Sequence, residues 1–109
     1  MSVIPMTKNQ VKYLLIVKMD VEPEQENQLN KWYNDVHIPA LLKVPGVLSG
    51  RRYTTTQGTP KYTAIYEFDR PDVTISEAWK KAVEQTPRPK EIAVKNFSRE
   101  LLQTIYSNE

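Results

Sequence analysis

The chain has 109 residues, 15 basic and 13 acidic side chains, one histidine and no cysteine, for a net charge of +2. That length suits one domain with a modest core, small enough to gain from burial against a partner subunit. The absence of cysteine excludes disulfide frameworks, thiolate catalysis and sulfur-bound zinc, a lone histidine excludes a multi-histidine metal centre within one protomer, and interspersed charge argues against a nucleic-acid binder.

Residues 1–10 hold Pro5 and no sustained period, which predicts a flexible N-terminal arm ahead of a single domain over 11–109. They lack a signal-peptide core, and no apolar run approaches the roughly 20 residues that cross a bilayer, so a soluble, cytoplasmic protein with no membrane partner is expected. Lys12 to Met19 is a strand by its β-branched and aromatic content, with Tyr13, Leu15, Val17 and Met19 on one face and Leu14 and Ile16 on the other. Pro23 suits the first turn of a helix, with Glu22, Glu24 and Glu26 at its positive end. At 3.6 residues per turn Leu29, Trp32, Tyr33, Val36 and His37 share one side. Pro39 disfavours helical geometry at Ile38 and predicts that the helix ends or kinks there, which leaves His37 at a helix C-terminus, where the dipole favours the protonated ring.

Pro45-Gly46 turns the chain into a second strand, about 47–56, and Gln57-Gly58-Thr59-Pro60 separates it from a third, about 61–69. A symmetric turn sets Thr56 opposite Lys61, Tyr53 opposite Ala64 and Arg51 opposite Tyr66. One face would then carry Ser49, Arg51, Tyr53, Tyr62, Tyr66 and Phe68, and the other Gly50, Arg52, Thr54, Thr63, Ile65 and Glu67, with Arg52 free to pair with Glu67. A one-residue bulge would redistribute these sets. Thr74 or Ser76 caps a second helix with the apolar stripe Ala78, Trp79, Ala82 and Val83, and Thr86-Pro87-Arg88-Pro89 ends it. Lys90 to Lys95 is a connector with room for a further helical turn, and Phe97 to Tyr106 favours a strand.

The order βαββαβ implies a ferredoxin-like α+β sandwich, a four-stranded antiparallel sheet with both helices on one face. Strands one and three would be central and apolar on both faces. A sheet face left bare at that composition calls for a second copy, and a homodimer packed sheet to sheet is expected.

The run from Trp32 through His37, Pro39, Leu42, Pro45 and Gly46 to Tyr53 resembles the EthD-like branch of the dimeric α+β barrel superfamily, whose first helix ends in a W-x(4)-H-x-P pattern followed by a leucine, a PG turn and a strand with an aromatic. The resemblance implies a cofactor-free pocket for a small molecule between helices and sheet, with His37 pointing into it. It implies a range of chemistries, from polyketide cyclases, decarboxylases and lactone isomerases to cofactor-independent monooxygenases and haem-degrading enzymes.

His37 suits general acid or base work, since its unperturbed pKa is near 6.5, and its plainer use is a packing imidazole held by a backbone carbonyl. Tyr33, one turn earlier, would donate to a substrate carbonyl or position the imidazole, or simply fill the core. Arg51 would clamp a carboxylate or enolate, or stack on Tyr66. Trp32, Tyr53, Tyr66 and Trp79 are candidates to line the pocket, and three tyrosine hydroxyls among Tyr53, Tyr62 and Tyr66 exceed what a plain core needs. These residues point to a cofactor-independent lyase or isomerase acting on a small aromatic, polyketide-like or lactone acid. The alternatives are an oxygen-using or haem-handling protein and a non-catalytic ligand-binding module.

Overall fold

The computed structural model describes residues 11–108, so the expected N-terminal arm over 1–10 lies outside the described residues. Strand β1 (Tyr13–Asp20) leads into a 3-10 turn, Pro23–Gln25, with the proline in the first turn as its missing N–H favours. Helix α1 (Glu26–Trp32), a π-helical turn (Tyr33–His37) and helix α2 (Ile38–Leu41) follow without a break. Strands β2 (Val47–Thr54) and β3 (Tyr62–Phe68), helix α3 (Glu77–Gln85) and strand β4 (Lys95–Gln103) complete the order.

The strands form one antiparallel sheet in the order β2-β3-β1-β4, so β1 and β3 are central and β2 and β4 are edges. This is the ferredoxin-like sandwich that the element order implied. The core lies between the helices and the sheet face carrying Leu15 and Met19 of β1 and Tyr62, Ala64, Tyr66 and Phe68 of β3. Leu29 and Leu41 from the helices are fully buried against it. Each such leucine contributes about 1.5–3 kcal/mol. Trp79 of α3 closes the layer, edge-on to Tyr66 and Phe68 at 5.9 and 5.5 Å between ring centres.

Pro39 does not end the helix. A proline has no N–H to give the carbonyl four residues back, and here the N–H of Ile38 reaches Tyr33 O instead, a bond five residues long. The π turn thus absorbs the missing donor, and the helix runs on through Ile38–Leu41. His37 therefore stands inside a helix and not at its end.

The register of β2 against β3 also corrects the expectation by one residue. Thr55, not Thr56, faces Lys61, since its N–H donates to Lys61 O at 2.8 Å, and an irregularity between Val47 and Ser49 takes up the difference. Arg52 now lies opposite Ala64 and Tyr53 opposite Thr63. Side chains alternate along a strand, so the shift exchanges the faces: Gly50, Arg52 and Thr54 join the helix side, and Ser49, Arg51 and Tyr53 move to the far side.

Gly46 has φ +95, a backbone conformation that side chains resist, and a Cβ there would sit 2.7 Å from Val73 Cγ2. Ser76 caps α3, its Oγ accepting from the Trp79 N–H at 3.2 Å. The connector before β4 adds no helix, only a turn closed by the Ile92 N–H on Pro89 O. No helix among the described residues is long and apolar enough to cross a membrane.

Candidate active site

The three aromatic residues Trp32, Tyr33 and His37 come together at the junction of α1 and the π turn. The imidazole stacks on Trp32 at 4.3 Å with 16° between planes, and meets Tyr33 edge-on at 5.6 Å. Beside them is a cavity of about 340 Å³ bounded by Leu15, Val17 and Met19 from β1, Tyr66 from β3 and Trp79 and Val83 from α3. Arg88 after α3 and Phe97 and Arg99 of β4 complete its lining, which contains no acidic side chain.

The proton on His37 can be placed from its neighbours. Thr86, just past α3, lies 2.8 Å from Ala82 O, a contact in which only the threonine hydroxyl has a hydrogen to give. That hydrogen is spent on the carbonyl, so towards His37 the Thr86 oxygen can only accept. The imidazole Nδ1, 2.9 Å away, must be the donor. Its Nε2 is then an unprotonated acceptor. Burial pushes the His37 pKa down from 6.5 to about 4, which keeps the ring neutral near pH 7. The helix-end dipole that the sequence suggested does not act, because the helix continues past the histidine.

Two further polar atoms at this cavity have no partner among the described residues: Trp32 Nε1 and the Tyr66 hydroxyl, both shielded from solvent. Burial raises the Tyr66 phenol above its ordinary range, with the Tyr33 phenol adding to the effect and Arg52 opposing it, so it serves as a neutral hydrogen-bonding group. Burial likewise raises Tyr33, whose hydroxyl sits 4.0 Å from Met19 Sδ. Unsatisfied buried donors are uncommon in folded proteins, and their gathering here fits a ligand that would complete them.

The structure thus brings together His37, Tyr33, Trp32, Tyr66 and Trp79, and leaves two other candidates outside. Arg51 stands on the far face of the sheet, exposed and bonded to Ser49 Oγ at 3.1 Å, and Tyr53 is half exposed on that same face. Arg52 is not paired with Glu67, which the corrected register puts on the opposite face. It lies over the rings of Tyr33 and Tyr62 at 4.7 and 5.4 Å. Sequence reasoning missed Thr86, taken there only as part of a helix stop, and Arg88 and Arg99. The alternation of β4 was a usable signal for Arg99, because it pairs with Val17, on the helix side of β1. No group of three or more metal-binding side chains occurs among the described residues.

A family model described as a domain of unknown function, DUF4286, matches residues 12–104. No curated protein sequence matches the chain. Among solved structures, an ethyl tert-butyl ether degradation (EthD) family protein from Bacillus halodurans shares 13% identity over 86% of this chain and 99% of its own, with a TM-score of 0.61. The Mycobacterium tuberculosis haem degrader MhuD, described with two haems bound in its active site, is 16% identical over 87% of this chain and 97% of its own, at TM-score 0.65. A Bacteroides thetaiotaomicron protein carrying the name of an antibiotic biosynthesis monooxygenase is 13% identical over 94% and 97%, at 0.60. At such identities the likeness is one of fold, and that fold is the dimeric α+β barrel superfamily's, EthD-like proteins included.

Proposed function

The chain belongs to the DUF4286 family, and for it we propose a small-molecule enzyme, a lyase or isomerase, in which His37 accepts a proton from a bound acid or lactone with a flat apolar body. The observation that carries this reading is the Thr86 bond to Nδ1, which turns an unprotonated Nε2 into the one basic atom of an otherwise apolar, acid-free cavity. Arg88 and Arg99 take the anion-holding role first sought in Arg51, and Trp32 Nε1 and the Tyr66 hydroxyl are donors for a developing oxyanion. A pKa of about 4 makes a weak base in the empty cavity. An anion bound between the arginines favours the imidazolium and raises that value towards working pH, so basicity is coupled to occupancy.

The test is hydrogen–deuterium exchange and turnover of a panel of aromatic and polyketide-like carboxylic acids and lactones. His37→Ala should lower the rate on any responsive compound by roughly a hundredfold. A compound processed equally by the wild type and this variant would remove the reading.

Haem handling is the second reading, favoured by the same free Nε2, which suits an axial ligand, and by the rim arginines, which suit propionates. Bound haem would supply redox chemistry at its iron, and MhuD is a precedent in this fold. The cavity, at about 340 Å³, is near the lower end of small-ligand pockets, which favours the smaller substrate. A Soret band on adding haemin that His37→Ala abolishes would reverse that order.

We also propose that two copies pair through the uncovered sheet face. Leu14 and Ile16 of β1, Ile65 of β3 and Leu102 of β4 share it, and β4 is exposed at every position of the protomer. Sedimentation should give the mass of two chains, and a stable single chain at dilute concentration would oppose pairing.

A further inference from the structure

Arg52 presents an electrostatic problem that the His37 cavity does not solve. Its guanidinium is half-buried, and the rings of Tyr33 and Tyr62 occupy its faces, so that only its N–H edge remains for hydrogen bonding. On that edge Nη1 donates to Asn34 Oδ1 at 3.3 Å, a long bond, and Nη2 is shielded from water with no acceptor. The nearby carboxylates are engaged elsewhere: Glu26 pairs with Lys61 at 2.6 Å and Asp35 with Lys31 at 3.9 Å. Glu67 is on the other side of the sheet. A cation held this way without a counter-charge is costly unless an anion joins it.

There is room for one. A groove of about 570 Å³ runs between α1 and the outer edge of β2, lined by Asn30, Asn34, Gly50, Arg52, Thr54 and Tyr62, and no lining residue is shared with the His37 cavity. Asn30 and Asn34 are one helical turn apart and offer two carboxamides beside the guanidinium. We propose that this groove is a second binding site, taking a small carboxylate whose two oxygens meet the N–H edge of Arg52 once the exposed Asn34 side chain turns aside. A planar carboxylate matches that edge in bidentate fashion, with Asn30, Asn34 and Thr54 bonding the remaining lone pairs. The site backs onto the His37 cavity through Tyr33, which Arg52 covers on one side and His37 contacts on the other.

The experiment is a titration of the isotope-labelled chain with sodium benzoate, following the side-chain amides of Asn30 and Asn34 and the Arg52 Nε–H by NMR. Saturable shifts at these groups are expected, weakened at least tenfold in Arg52→Gln and unchanged in His37→Ala. If Arg52→Gln does not fold, the double variant Asn30→Ala/Asn34→Ala must weaken binding several-fold. The proposal fails if no saturable shift occurs, if shifts arise only around His37, if the variants bind as well as the wild type, or if chloride produces the same response. Inorganic phosphate should compete more weakly than benzoate, and a tighter fit for phosphate would overturn the carboxylate assignment.

Discussion

The two helical segments that cover the sheet are built differently. Helix α3 is regular: Ser76 caps its start, Trp79 anchors it to Tyr66 and Phe68, and it ends cleanly before Thr86. The first segment changes pitch at Tyr33–His37 and continues through a proline. The irregular segment carries the imidazole, and the regular one supplies the hydroxyl that sets its proton. The division teaches that the reactive group sits where helix geometry is distorted, while its orientation comes from a rigid neighbour.

The comparison can be broken most forcefully at His37. A ring with pKa about 4 in the folded chain and near 6.5 unfolded binds more protons when unfolded, so stability should be intact at neutral pH and fall as pH drops from about 6.5 to 4. The loss amounts to at most about 3 kcal/mol, less whatever water reaches the half-buried ring. Urea melts across that range should show the slope in the wild type and a flatter one in His37→Gln, with a persisting slope assigning it to carboxylates instead.

Next comes the contact between the two segments. Thr86→Val should strand the Nδ1–H without an acceptor, cost about 1–3 kcal/mol and let the proton redistribute between ring nitrogens. Nitrogen-15 NMR of the imidazole would show this, and Thr86→Ser should restore the original tautomer. An unchanged tautomer in the valine variant would refute the assignment. The smallest effect belongs to the regular helix alone: Ser76→Ala should cost about 1 kcal/mol in thermal melts and leave the His37 proton where it is.

Much of this was legible in the chain. The alternation of β1, the proline and glutamates opening the first helix, the PG turn and the Ser76 cap each rest on local chemistry, and together they give the architecture and the gathering of Trp32, Tyr33, His37, Tyr66 and Trp79. The choice between Arg51 and Arg52 depended on a long-range pairing. A turn sequence names a reversal without stating how many residues it consumes, and a single residue exchanges the two arginines. The π turn was hidden for a related reason. Proline marks a missing donor, but whether the chain stops or reroutes its bonds is decided by the burial of Ile38 and Leu41 beyond it. The proton on His37 depends on Thr86, remote in sequence and brought near only by the packed layers.

The π turn also fixes the angular phase of everything after it. One residue advances an α-helix by about 100°, so deleting any one of the five positions Tyr33–His37 would rewind the segment to ordinary pitch. Ile38 and Leu41 would then swing out of the core together. This stretch therefore tolerates a change of side chain far better than a change of length, and a shortened relative would have to seat a different set of residues against the sheet.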